Sequence, residues 1–216
     1  DFKSGLSYAT EAIRISEKEN NSDQLIKSLI LAGRCAEKDQ QIVLAMRYFF
    51  EAQNLLPENK KNAQRYEIYR SIQRAYFYND NFDDAKKYLH KQLEVINASN
   101  DVDTIDWLNA RYELLEIEIY NSNFYIWQDS VIALMELSKA KGFLQEHDNL
   151  WAMIRSQLMV NNDFSRLYEL YVIEYPEELN ILRSLRPLAY ERIKAYLYEY
   201  EGQIDSADYQ WQKVID

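Results

Sequence analysis

A chain of 216 residues with only 4 Gly and 3 Pro has too few turn formers for a β-rich fold, and its abundant Leu, Ala, Glu, Lys, Arg and Gln favour long helices. Its 47% hydrophobic residues, with 18 Tyr and 8 Phe, supply enough apolar surface to exclude intrinsic disorder despite 28% charge. Asp and Glu outnumber Lys and Arg 35 to 25, and the resulting net charge of −10 repels phosphate backbones and anionic lipid, so this segment is not expected to contact nucleic acid directly.

No apolar run approaches the ~18 residues of a membrane span, which leaves a soluble segment as the expectation. The single cysteine, Cys35, allows no internal disulfide and leaves the compartment, cytoplasmic or periplasmic, undecided. The sequence lacks an initiating Met and opens directly on a helical pattern, so it reads as a fragment of a longer protein.

Along the chain one short pattern returns six times. Each copy begins with Phe or Ile at a helix start and carries a marker residue three positions later: Gly5, Ala45, Ala85, Trp127, Leu167 and Ala207. The intervals are 40, 40, 42, 40 and 40, a period that signals stacked helical repeats. A half repeat over 1–18 is followed by repeats over about 22–58, 62–98, 103–140, 147–176 and 180–216, all within one array of about eleven helices. The last helix carries Ala207, Trp211, Val214 and Ile215, an apolar set that a terminal repeat would leave partly bare.

Within a repeat the spacing predicts a helical hairpin. In the third, Tyr66, Tyr69, Ile72, Gln73 and Tyr76 make one apolar face, and Phe82, Ala85, Leu89, Leu93 and Ile96 make the next. Between them, Asn79-Asp80-Asn81 is a turn, because Asn and Asp tolerate unusual dihedrals and bond local backbone groups. Asp83 and Asp84 suit the positive end of the following helix, Phe82 can staple the corner, and Ala85 lets the helices approach.

The second repeat carries a family resemblance. Leu29, Ala32, Gly33 and Ala36 on its first helix, then Ala45, Phe49, Ala52 and Pro57, resemble the tetratricopeptide pattern of small and large residues at fixed offsets. Elsewhere the pattern thins. Trp127 and Leu167 replace the small marker, Asn97 stands where Pro57 stood, and Leu115, Arg155 and Ala195 stand where Gly33 did. The period also exceeds the usual ~34 residues, and HEAT and armadillo arrays are the rival fold. The resemblance implies an all-α, right-handed α-solenoid of antiparallel helical hairpins.

Chemical motifs are absent from the sequence. His90 and His147 have no ligand partners at metal spacing, and Cys35 beside Ala36 reads as a small buried hydrophobe. No phosphate-cradling or nucleophile motif occurs, so no cofactor, metal or enzymatic activity is expected. Glu113, Glu116 and Glu118 read as a solvated helix face, and the tyrosines from Tyr190 to Tyr200 as core filling.

The resemblance places the first helix of each repeat on a concave binding face. Lys27, Arg34, Arg70, Arg74, Tyr78, Tyr112, Arg192 and Tyr196 are the candidate peptide- or ligand-binding residues there. Arg34, Arg70 and Arg74 form a basic cluster that either receives an acidic segment or pairs internally with acids such as Glu37 and Glu67. Ile30 and Ser71 occupy two positions that the family's chaperone-tail clamp needs for polar contacts, so that clamp is not expected.

The implied function is non-enzymatic binding of a protein or peptide, or of a small ligand. Low Gly and Pro, abundant Asn and Tyr, and the long repeat are similar to tetratricopeptide sensory regions of bacterial signalling proteins, transcription regulators or sensor kinases. There, ligand binding would bias an output domain by population shift. A constitutive scaffold or adaptor for a multiprotein complex is the alternative, and a homodimer through the terminal repeats stands as a further option.

Overall fold

Helices here are delimited by one recurring corner. At six places a residue two or three positions past a helix end adopts a left-handed backbone: Asn20, Gln40, Asp80, Gly142, Asn162 and Gly202, with φ between 53° and 77°. Each time the next backbone N–H reaches back five residues to close the helix end, as in Gln41 to Ala36 at 2.8 Å and Asn81 to Tyr76 at 3.0 Å. The carbonyl of that same residue accepts the first bond of the following helix, as Gln41 does from Ala45 and Asp163 from Leu167. A corner of three residues, or of four at 78–81, thus ends one helix and starts the next, and Asn21, Asn81 and Asp163 add side-chain caps to Gln24, Asp84 and Arg166.

The computed structural model describes residues 2–57, 63–98 and 104–215. The expected repeat limits at 58, 62, 103 and 216 lie outside the described residues. The chain divides into two compact units, Asp1–Asn123 and Phe124–Asp216. The first holds α1 (Phe2–Lys18), α2 (Ser22–Lys38), α3 (Ile42–Leu55), α4 (Ala63–Phe77), α5 (Phe82–Ala98) and α6 (Thr104–Asn121). Successive helices pack on one another, and α2 also touches α4, so first helices of adjacent repeats are neighbours.

Burial follows the 3.6-residue period. Ile26, Leu29 and Ile30 of α2 meet Ala45, Phe49 and Ala52 of α3 and Ile68 and Ile72 of α4 in one core. A second core joins Tyr66 of α4, Ala85, Leu89 and Leu93 of α5, and Ala110, Leu114 and Ile117 of α6. At the α4–α5 corner the Phe77 and Phe82 rings meet edge to face at 5.6 Å, the expected staple.

The second unit holds α7 (Phe124–Ala140), α8 (Leu144–Val160), α9 (Phe164–Tyr168), α10 (Glu177–Leu185), α11 (Pro187–Tyr200) and α12 (Ile204–Ile215). From Glu169 to Glu174 the chain continues α9 as a π-helical segment. Its core includes Leu150, Trp151, Ile154 and Leu158 of α8 with Leu167, Leu170 and Tyr171. The fold is all-α, and no strand occurs among the described residues.

The six markers Gly5, Ala45, Ala85, Trp127, Leu167 and Ala207 are each the fourth residue of a helix, in α1, α3, α5, α7, α9 and α12. The twelve α-helices among the described residues are one more than the spacing predicts, and the addition is α10. Its cause is Pro187. A proline disfavours helical dihedrals in the residue before it, and Arg186 accordingly sits at φ −141°, ψ 72°, separating α10 from α11. Pro187 itself opens α11, where its missing N–H is no loss.

Candidate functional site

Stacking α2, α4 and α6 brings the predicted basic cluster together with acids from the neighbouring helices. Arg34 of α2 bonds Glu67 of α4 at 2.6 Å, Arg74 of α4 lies 3.2 Å from Glu37 of α2, and Arg70 of α4 lies 3.9 Å from Asp106 of α6. Asp106 also accepts from the Tyr66 hydroxyl at 3.0 Å. The three arginines therefore form a ladder of internal ion pairs. Their side chains keep 48%, 38% and 35% exposure for Arg34, Arg70 and Arg74, and each uses few of its five donors.

Other predicted residues surround this ladder. Lys27 is exposed on α2, Tyr78 is exposed just past α4 with the Arg74 guanidinium 5.8 Å from its ring, and Tyr112 is half-buried on α6. Burial pushes the Tyr112 hydroxyl up to about 12, helped by the nearby Glu116 carboxylate. The glutamates of α6 are not the uniform solvated face expected of them. Glu113 is half-buried, and burial raises its pKa further than Arg70 and Arg74 lower it. One of its oxygens has no hydrogen-bond partner among the described residues. Glu118 pairs with Lys86 of α5. Cys35, expected to be buried, is half-buried.

Arg192 and Tyr196 belong to the second unit. Tyr196 stacks on Phe164 at 4.9 Å and meets Trp211 edge-on at 4.9 Å, so its ring joins α9, α11 and α12. Arg192 is exposed and lines a pocket of about 320 Å³ between α8 and α11. Ala152, Met159, Val160, Ala189 and Ile193 supply its apolar walls, and Arg155 and Ser156 join Arg192 as its polar groups. Arg155 is buried and donates to the Tyr171 hydroxyl at 3.0 Å. Arg155 is not among the residues expected at the site; its signal in the sequence is an arginine standing where the second repeat has Gly33.

Deeper in the second unit, His147 and Glu178 are 2% and 3% exposed and 3.0 Å apart. Lys139 adds a bond to Glu178 at 2.9 Å, so this cluster fastens α10 to α7 and α8. Among the described residues no group of three or more His, Cys, Asp or Glu is placed to hold a metal ion, and no helix is long and apolar enough to cross a membrane.

No protein-family model matches the sequence, and no curated protein matches it. Among solved structures the chain is similar to a Podosopora anserina protein described as a kinesin light chain with nearly identical TPR-like repeats. The identity is 14%, the match covers 99% of this chain and 84% of that chain, and the TM-score is 0.48.

Proposed function

We propose that this chain is a non-enzymatic binding module of the tetratricopeptide type that captures a protein or peptide segment on the first-helix face formed by α2, α4 and α6. The observation that carries this reading is the ladder of Arg34, Arg70 and Arg74, whose guanidiniums are held in place by internal acids yet keep a third to a half of their surface exposed. Exposed ion pairs of this kind are worth only about 0–1 kcal/mol, so an incoming carboxylate competes for the spare donors at little cost. Tyr78, beside Arg74, offers an aromatic surface to the same segment.

A fluorescein-labelled acidic decapeptide and its glutamine counterpart test the reading by fluorescence polarisation. The acidic peptide is expected to bind more tightly, with affinity falling as salt rises. Arg70→Glu with Arg74→Glu is expected to weaken it by at least about tenfold. Unchanged binding by that double variant would remove the basic face from the mechanism.

The finer reading is that the module is the sensory or regulatory region of a bacterial signalling protein, in which ligand capture biases an output domain. The long repeat and the Asn- and Tyr-rich composition support it. In the full-length protein, the double variant is then expected to change output as well as binding. Output that ignores the substitutions while a partner still assembles points instead to a constitutive scaffold.

A further inference from the structure

The pocket between α8 and α11 has a lining out of character with its surroundings. Residues 124–216 hold nine Lys and Arg against fifteen Asp and Glu, yet the pocket is lined by two arginines and no acid. Arg155 is incompletely neutralised. The carboxylate that faces it, Asp148, is 3.9 Å away and is gripped at 2.6 Å by Arg186. One carboxylate thus answers two guanidiniums. The other contact of Arg155, Tyr171, contributes no charge, because burial pushes its hydroxyl up to about 12 and keeps it protonated.

Arg155 is only 7% exposed, and a buried guanidinium short of counter-charge is costly unless an anion joins it. Arg192, at the pocket's mouth, has no ion pair among the described residues. Its neighbour Glu191 is turned toward Lys213, 3.8 Å away. Apart from Ser156, whose hydroxyl donates to the Met153 carbonyl, the remaining walls are apolar, with two alanines leaving room and Met159 able to adapt its shape. A volume of about 320 Å³ lies at the small end of ligand pockets, which run from about 300 to 1,000 Å³.

We propose that this pocket binds a small organic monocarboxylate with a short aliphatic body. The carboxylate engages the Arg192 fork with Arg155 as the second positive group, and the aliphatic part lies against Met159, Val160 and Ile193. Inorganic phosphate fits less well, since it brings no apolar surface to a mostly apolar lining. The inference stands apart from protein capture on the α2, α4 and α6 face, so either can fail alone.

The test uses the whole chain with labelled methyl groups, titrated with isocaproate and, as an uncharged counterpart of the same shape, isocaproamide. Saturable movement of the Met159 and Ile193 methyl resonances is expected with isocaproate, at a dissociation constant on the order of 1 mM. Isocaproamide, and isocaproate with the exposed-site variant Arg192→Gln, should bind at least about tenfold more weakly. Lys18→Gln, at an exposed position of α1 in the other unit, should leave the titration unchanged. Equal binding of acid and amide, unchanged binding by Arg192→Gln, or no saturable movement up to about 20 mM would each overturn the proposal. Acetyl-Gly-Gly-Leu binding at least about tenfold more tightly than isocaproate would assign the pocket to a peptide terminus and would overturn it too.

Discussion

Gly33 of α2 lies so close to the Phe49 ring of α3 that a methyl group on its α-carbon would sit 2.3 Å from Phe49 Cε1. Phe49 is fully buried in the core, and close-packed interiors leave a ring little room to retreat. Gly33→Ala should therefore destabilise the chain by about 1–3 kcal/mol through overpacking. That loss outweighs the ~1 kcal/mol that alanine gains over glycine as a helix former. Phe49→Leu in the same molecule should recover part of the loss, because it removes Cε1 and Cζ, two of the three atoms that clash. Urea unfolding of the two variants checks this, and a Gly33→Ala protein as stable as the parent contradicts the close packing.

Gln40 and Gly202 occupy equivalent left-handed corners, at φ 61° and 75°. A side chain there costs about 1 kcal/mol relative to glycine, since Cβ crowds the following carbonyl. Gln40→Gly is expected to raise stability by up to about 1 kcal/mol, and Gly202→Ala to lower it by a similar amount. Nothing lies within 4 Å of a Cβ placed on Gly202, so its cost is purely that of the backbone. A neutral result in both variants would mean that the corners relax to other dihedrals in solution.

These corners explain why the repeat was legible. Ala45, Ala85, Leu167 and Ala207 recur because each lies five residues after a left-handed corner residue, Gln40, Asp80, Asn162 and Gly202 in turn, and Asn and Asp at such corners announce themselves by type. The helix α10 and the π-helical segment were not legible, because neither breaks the spacing: Phe164 and Ile204 remain 40 residues apart although an added helix lies between them. Only Pro176 and Pro187 hinted at it. For the arginine cluster, the internal pairing with Glu37 and Glu67 is one of the two outcomes expected. Arg155 stands out in the sequence only as the replacement for Gly33, and its place in the pocket was not legible because its bond to Tyr171 is set by tertiary packing.

Glu113 carries a stability cost that substitution can reveal. Burial raises its pKa against the opposing pull of Arg70 and Arg74, so its ionised form is disfavoured in the folded chain. A carboxyl with a raised folded pKa weakens the fold once pH exceeds the unfolded value of 4.5, and costs nothing well below it. Glu113→Gln is expected to raise the melting midpoint at pH 7 by ~2–4 °C, and the gain should shrink toward pH 4. A lowered midpoint at pH 7 would show instead that its attraction to the two arginines dominates.

His147 makes the opposite contribution. Its Nδ1 lies 3.1 Å from the Met135 carbonyl and its Nε2 lies 3.0 Å from a Glu178 carboxylate oxygen. Both partners accept, so the ring satisfies both only by donating from both nitrogens, as an imidazolium. Burial alone would lower its pKa, but the bonds to Glu178 and Met135 outweigh that and the net shift is upward. Glu178 shows the mirror image: burial raises its pKa, while His147 and Lys139 bring it below 4.5. The histidine's contribution is therefore complete below its unfolded value of 6.5 and is lost as pH rises through the folded value. That of Glu178 is complete above 4.5 and is lost as pH falls through its folded value, so the pair stabilises most between the two unfolded values. Glu178→Gln leaves a buried imidazolium without its counter-charge and should cost about 3 kcal/mol at pH 6. The variant should also lose most of the decline in stability that the parent shows on going to pH 8. An NMR titration of the His147 ring provides the direct check: a midpoint at or below 6.5 in the folded chain is incompatible with a doubly donating imidazolium holding α10 against α8.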